Sequence, residues 1–454
     1  MRFAYLLIAL TACGANRVDS DRLEIVTVDP GHFHAGLLQK EMLPEFAEQA
    51  YVYAPLGPDL AAHLNRIAGF NSRKDSPTRW KLQIYAGADY WEKMLAERHG
   101  KIVVFSGRNR GKIDRIETVA RGGRSVLADK PWIIEAEDLG KLQSALDSAD
   151  AKHVIAYDGM TQRFEISCIV QKALVNDAAV FGQPLPGSAK EPSVYMESVH
   201  YLLKLVAGVP NLRPAWFFDT REQGEGLTDV GTHLVDLVQW TLFPGQALDY
   251  RKDIEMAAGS HWPTRLSQAD FRKVTGQAEF PEYLRSHVSD GIFSYFCNNS
   301  VDYRVRGIHV KLDVKWDFEA QPGAGDTEVA IYRGSHARVE VRQGAAEKFR
   351  PEVYVIPNRA ADKSTLLAAL KRRLAAMESE WPGLAVVDQG ERLHVTIPDK
   401  HRIGHEAHFA LLTGRFLSYV KSPRNLPAWE KPNMLAKYYV TTKGVELARK
   451  GGVK

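Results

Sequence analysis

From Leu23 to about Asp158, short apolar, β-rich runs alternate with segments of helical periodicity. The pattern predicts strands at Leu23–Val28, Tyr51–Ala54, Lys81–Tyr85, Lys101–Ser106, Ser125–Ala128 and His153–Tyr157. Helices are expected between them at His34–Met42, Lys112–Ala120 and Ala136–Ser148. Strands separated by helices pair in parallel through right-handed crossovers, so residues 23–160 are expected to form a doubly wound, Rossmann-like α/β domain. After Phe164 the period changes. A helix to Val175 and a Pro-rich stretch lead to a loop and helix around Asp229. Strand-like runs then follow one another at Gly291–Cys297, Val301–Val305, His309–Asp317, Glu328–Tyr332 and Ala337–Val341. Without helices between them they predict a mainly antiparallel sheet, and hence an α+β domain over 161–454. Its open face is a candidate surface for forming a homo-oligomer. A charged helix at Lys363–Glu380 among short strands makes 347–398 read as an insertion, and His405–Val420 and Met434–Lys450 are expected to close the fold.

One helix carries chemistry. Gly224, Glu225 and Gly226 lead into a segment that places Asp229, His233 and Asp236 at i, i+4 and i+7, on one helical face. Around them Val230, Leu234, Val235, Leu237, Val238 and Trp240 leave little room for a solvated side. Burying a carboxylate and an imidazole without partners costs several kcal/mol. A polar stripe on a buried helix therefore faces a cavity, and the glycines let a ligand approach the backbone at its start.

At 454 residues, 45% hydrophobic and 25% charged, the chain has the composition of a globular protein of two or three domains. The net charge of +4 comes from scattered Lys and Arg, which argues against a nucleic acid partner. Met1 and Arg2 precede the apolar run Phe3–Leu10, and Leu10-Thr11-Ala12-Cys13 resembles the lipobox of bacterial lipoproteins. Residues 1–22 are thus expected to be a signal peptide and tether, with Cys13 the lipid-bearing residue of an exported, membrane-anchored protein, periplasmic or at the cell surface. Cys168 and Cys297 lie in apolar stretches and read as core.

Three further features point to a family. Ala128-Asp129-Lys130-Pro131 follows the fifth predicted strand, where that family has Glu-Lys-Pro; residues 224–236 match its Gly-rich loop and Asp-x-Gly-x-His-x-x-Asp; and Arg163-Phe164 and Phe181-Gly182 fall where it has similar pairs. Over residues 23–345 the chain resembles the glucose-fructose oxidoreductase, inositol dehydrogenase and MocA (Gfo/Idh/MocA) family. The resemblance implies an enzyme that oxidises a sugar or cyclitol hydroxyl with NAD or NADP, tightly held. Lys130, Asp229 and His233 would be catalytic, with His233 taking the hydroxyl proton. Gly31, His32, His34, Asn109 and Lys130 would bind the cofactor, and Arg163, Asp229, His233 and His405 the substrate.

The nucleotide half departs from the family pattern. The first turn reads Asp29-Pro30-Gly31-His32-Phe33-His34, with only Gly31 at a fingerprint position, and no acidic residue ends the second strand at Ala54. His32 with His34, and the group His401, His405 and His408, have spacings that suit a metal, but no metal is assigned. The altered turn and the export signal leave two other readings open: a glycan-processing lyase or hydrolase, with a trapped cofactor or by acid/base elimination, and a non-catalytic carbohydrate-binding protein.

Overall fold

The computed structural model describes residues 22–206, 209–210 and 212–451. The expected signal peptide and tether, except for its last residue, Arg22, lies outside the described residues, as does Cys13. Six strands form the first sheet: β1 (Leu23–Val28), β2 (Phe46–Ala54), β3 (Lys81–Ala86), β4 (Ile102–Phe105), β5 (Ser125–Ala128) and β6 (Ala156–Asp158). All pair in parallel in the order β3-β2-β1-β4-β5-β6. The order reverses between β1 and β4, and the crevice outside the carboxyl ends of those strands is where such sheets take ligands.

The helices around the sheet are α1 (His34–Leu37), α2 (Pro58–Ser72), α3 (Tyr90–Glu97), α4 (Lys112–Arg121) and α5 (Leu139–Ala151). α1 is shorter than the predicted His34–Met42. Gln39 N and Lys40 N bond three residues back, to Gly36 O at 2.9 Å and Leu37 O at 3.2 Å, so the helix tightens and stops, and the Trp80 indole and Arg73 guanidinium take the free Gln39 and Lys40 carbonyls at 2.7 Å. α2 is absent from the prediction because it buries only Leu60, His63 and Ile67, too sparse a stripe to read as a period.

The second sheet runs, in spatial order, Ile254–Ser267, Ile292–Val305, Ile308–Glu319, Val194–Leu203, Thr327–Arg333, Ala337–Gln343, Glu352–Pro357, Leu393–Thr396 and Ala385–Asp388. Its pairings are antiparallel except that of Val194–Leu203 with Ile308–Glu319. Val194–Leu203, hidden in the Pro-rich stretch, is thus a central strand. Ile292–Val305 is one strand where two were expected, because buried Asn298, Asn299 and Ser300 interrupt its apolar pattern. Those amides are satisfied: Asn298 Oδ1 accepts from Trp316 N at 2.7 Å, and Asn299 Oδ1 from Leu227 N at 2.9 Å. The segment 347–398 adds the three last strands at one edge of this same sheet.

Val339, Val341, Val353 and Val355 point into the core while Arg338, Glu340 and Arg342 point the other way. That second face carries ion pairs, with Glu340 held by Arg338 at 2.7 Å and Arg342 at 2.6 Å. The apolar face of the sheet meets α6 (Ile166–Val175) and helix Gly231–Leu242, every residue of which is buried except Trp240. The two last helices return to the first sheet: Phe409, Leu412 and Phe416 of His405–Lys421 join the cluster around Ile25 and Val104, and Met434, Leu435 and Tyr438 of Glu430–Gly451 join that around Val103 and Val126.

Candidate functional site

Lys130 leaves the carboxyl end of β5, and its ammonium meets Asp229 Oδ1 in a buried ion pair that joins the two domains. Asp229 ends the helical turn Gly226–Asp229, and His233 lies one turn on in Gly231–Leu242. That turn presses on the second sheet so closely that a Cβ at Gly226 would fall 2.2 Å from Cys297 O, which only glycine tolerates. Glu225, just before it, is fixed by Asn299 Nδ2 at 2.8 Å, Arg449 Nε at 2.9 Å and His261 Nδ1 at 3.2 Å. The loop into Asp229 is therefore rigid.

Burial works to raise the Asp229 carboxyl, but the Lys130 ammonium outweighs it and holds the group below its ordinary value. Burial, then the Lys130 charge, drive the His233 imidazole far below its ordinary pKa. His233 is thus neutral at physiological pH, and its Nδ1 is buried without a hydrogen-bond partner among the described residues. A neutral imidazole beside a lysine–carboxylate pair can take a proton from a hydroxyl that the ammonium polarises.

Asp236 does not continue the stripe. One turn below His233 it accepts both arms of Arg163, at 2.6 and 2.7 Å, and faces Lys437 Nζ at 3.3 Å. Arg163 also donates to Glu430 at 2.7 Å, and Lys437 to Asp158 at 2.7 Å. Arg163, expected at the substrate, is instead committed to this buried network. Asn109, expected at the cofactor, braces the site loop: its Nδ2 donates to Gln223 O at 2.8 Å and its backbone N–H to Glu222 O at 2.9 Å.

A second cluster flanks Lys130. Asp129 Oδ2 accepts from His32 Nδ1 at 2.7 Å and His34 Nδ1 at 2.9 Å, and His34 Nε2 faces His405 Nε2 at 3.2 Å. Lys112 Nζ donates to Asp129 O at 2.8 Å, and burial lowers its pKa to about 8. His32, His34 and Asp129 offer ligand atoms close enough to one another to hold a metal ion. As they stand they satisfy one another as hydrogen bonds: the two histidines expected at the cofactor orient the carboxylate next to Lys130, and His32 also borders the crevice. Asp129 was legible only as a motif letter, since its partners lie 95 and 97 residues away.

The crevice at the carboxyl ends of β1, β2 and β4 opens into a cavity of about 990 Å³ that reaches His32. It is of the size of a cofactor site. Its floor is the turn at Asp29, whose backbone is left-handed (φ 45°), and Gly31, where a Cβ would lie 3.1 Å from the Trp216 ring. Two amides that would face a pyrophosphate in this fold are taken: Gly31 N donates to Asp29 O at 2.9 Å and His32 N to Ser106 O at 3.0 Å. Arginine side chains, Arg66 and Arg108 among them, line the cavity together with apolar groups. This donor set suits a ligand bearing phosphate and a planar base, held by guanidinium groups more than by amides.

Burial also lowers His34 to about 3 and His63 and His408 to about 4. Together with His233 these are neutral in the folded chain but take protons near pH 6.5 once unfolded. The stability these histidines contribute is therefore complete above about pH 6.5 and is lost as pH drops toward 4, each contributing up to about 1.4 kcal/mol per pH unit. Urea midpoints are expected to fall steeply between about pH 7 and pH 5.5, before the carboxylate range is reached.

Residues 170–449 match the model of the family described as "Putative oxidoreductase C terminal domain". Among solved structures, a putative oxidoreductase from Parabacteroides merdae is 41% identical, with a TM-score of 0.93, covering 95% of this chain and 98% of its own. GenD2 from gentamicin A biosynthesis, in complex with NAD, is 15% identical with a TM-score of 0.57, covering 98% of each chain. Levoglucosan dehydrogenase, in complex with NADH and levoglucosan, is 14% identical with a TM-score of 0.57, covering 95% of this chain and 98% of its own. These last two share the fold. No curated protein matches the chain. With the lysine, aspartate and histidine of the expected motifs assembled at the edge of a doubly wound sheet, the chain belongs to the Gfo/Idh/MocA family and is an enzyme of its oxidoreductase type.

Proposed function

We propose that the protein oxidises a secondary hydroxyl of a sugar or cyclitol, and reduces the ketone in reverse, with NAD or NADP as partner. The observation that carries this reading is the buried Lys130–Asp229 pair with neutral His233 one turn away; the cavity of cofactor size does not touch these three but reaches His32, which bonds Asp129 next to Lys130. Fold relatives bound to NAD, and to NADH with levoglucosan, support it. When bound, the nicotinamide supplies the hydride acceptor. Asp229 holds Lys130 in place, the Lys130 ammonium stabilises negative charge growing on the substrate oxygen, and His233 takes the hydroxyl proton. His32 and His34 fix Asp129, and so the backbone that carries Lys130. Native mass spectrometry of the folded protein, alone and with added NAD(H) or NADP(H), tests the cofactor: a dinucleotide adduct is expected, and its absence in every case would sink the reading.

The internally bonded amides at Gly31 and His32, which offer a pyrophosphate no donor, favour one second reading, a glycan lyase or hydrolase that works by acid/base elimination. It predicts cleaved glycoside with no net change in added nicotinamide. We also propose that Cys13 carries lipid in an exported protein. Cys13→Ser is then expected to move the protein from the membrane to the soluble fraction, and an unchanged distribution would refute the anchor.

A further inference from the structure

Of the cations that line the cavity, all but one have a hydrogen-bond or ion-pair partner among the described residues; Arg213, without a carboxylate, donates to Leu202 O at 2.8 Å and Tyr201 O at 3.2 Å. Arg108 lies 3.4 Å from Asp59 and over the Trp216 ring at 5.0 Å, Arg110 faces Glu222 at 3.5 Å, and Arg221 grips Asp219 at 2.9 Å. Arg66, half-buried about two turns into α2, has no hydrogen-bond or ion-pair partner among the described residues. Its stem crosses α1 so tightly that a Cβ at Gly36 would fall 2.5 Å from Arg66 Cδ. The guanidinium is thus held at the cavity, partly stripped of water and without an acceptor. Such a group has much to gain from an anion, because charge-assisted, bidentate bonds to phosphate are the strong ones.

The cavity rim points the same way. Leu56 is 84% exposed, Leu212 57%, Tyr283 42% and Phe33 38%, and all four border this cavity. Exposed apolar groups gathered around one concavity mark a binding site. Below them the turn offers the Asp29 carboxylate, and the Gly31 and His32 amides are spent. A phosphate entering the crevice therefore needs a side-chain donor.

We propose that Arg66 is the phosphate anchor of this crevice and takes over, for a nucleotide whose base lies on the apolar rim, the task of the glycine-turn amides. Calling that nucleotide a nicotinamide dinucleotide rests on the function proposed above. The phosphate is either the pyrophosphate or a ribose 2′-phosphate, which have the same chemistry toward a guanidinium.

Calorimetric titration of the full chain with ADP, 2′,5′-ADP, NADH and NADPH tests this in the wild type, Arg66→Met and Arg66→Lys. Met keeps the stem over Gly36 and removes the charge, while Lys keeps the charge and loses the fork. Thermal unfolding of each variant reports whether the fold is retained, and Lys serves if Met does not fold. Binding is expected to weaken about 10- to 100-fold in Arg66→Met and less in Arg66→Lys. Loss on all probes assigns the pyrophosphate, and loss only on 2′,5′-ADP and NADPH the 2′-phosphate. Arg66-dependent binding of the ADP probes without binding of NADH or NADPH keeps the anchor and removes the nicotinamide reading. Equal binding of NADH or NADPH by wild type and Arg66→Met overturns the anchor and leaves that reading intact. Binding of no probe by the wild type overturns the anchor.

Discussion

His233→Asn is expected to lower kcat by about 10²- to 10⁴-fold, the range for loss of a positioned general base, with little change in stability or dinucleotide affinity. His233 Nδ1 bonds to nothing among the described residues, so its removal leaves no buried partner orphaned. Lys130→Met differs. It should abolish turnover and also destabilise, because Asp229 would remain buried as an unpaired carboxylate. Steady-state kinetics with thermal unfolding of both variants separates the two roles. Near-normal turnover in His233→Asn would remove it as the base.

Asp236→Asn is expected to have the largest effect on stability, about 3–5 kcal/mol, the cost of breaking a buried ion pair from one side. Arg163 and Lys437 would lose a shared carboxylate, and the Lys437 side chain is only 1% exposed, so water cannot replace it. The network ties helix Glu430–Gly451 to Asp158 at the end of β6 and to helix Gly231–Leu242, so the loss should loosen the last helix from both domains. Urea unfolding measures the change, and amide hydrogen exchange over 430–451 locates it. A loss below about 1 kcal/mol would mean that the network is not holding the helix.

These two residues show what was legible in the chain. Asp229 and His233 could be found because helical spacing is local and their apolar surroundings leave them one direction to face. Asp236 obeyed the same spacing yet turns to Arg163 and Lys437, partners 73 and 201 residues away. Helical period says which residues share a face, and long-range charge decides what that face meets. The parallel sheet was legible from strand and helix alternation. Val194–Leu203 was not, because its Pro-rich approach hid a central strand. At the cofactor end, Gly31 and Asp29 announced a changed turn. What takes its place is assembled by tertiary packing, from Trp216 of the second domain and Arg66 across α1. No local pattern encodes that meeting.

The chemistry proposed for Lys130, Asp229 and His233 is hydride transfer from a polyol carbon to a nicotinamide. Its most direct test incubates the enzyme, with NAD or NADP added, with hexoses and cyclitols deuterated at ring carbons, and follows the label by mass spectrometry. Deuterium is predicted to reach the dinucleotide as the ketone forms, and to do so far more slowly with His233→Asn. Ketone or cleaved sugar appearing while the dinucleotide stays unlabelled would mean that this site does not pass hydride to the added dinucleotide.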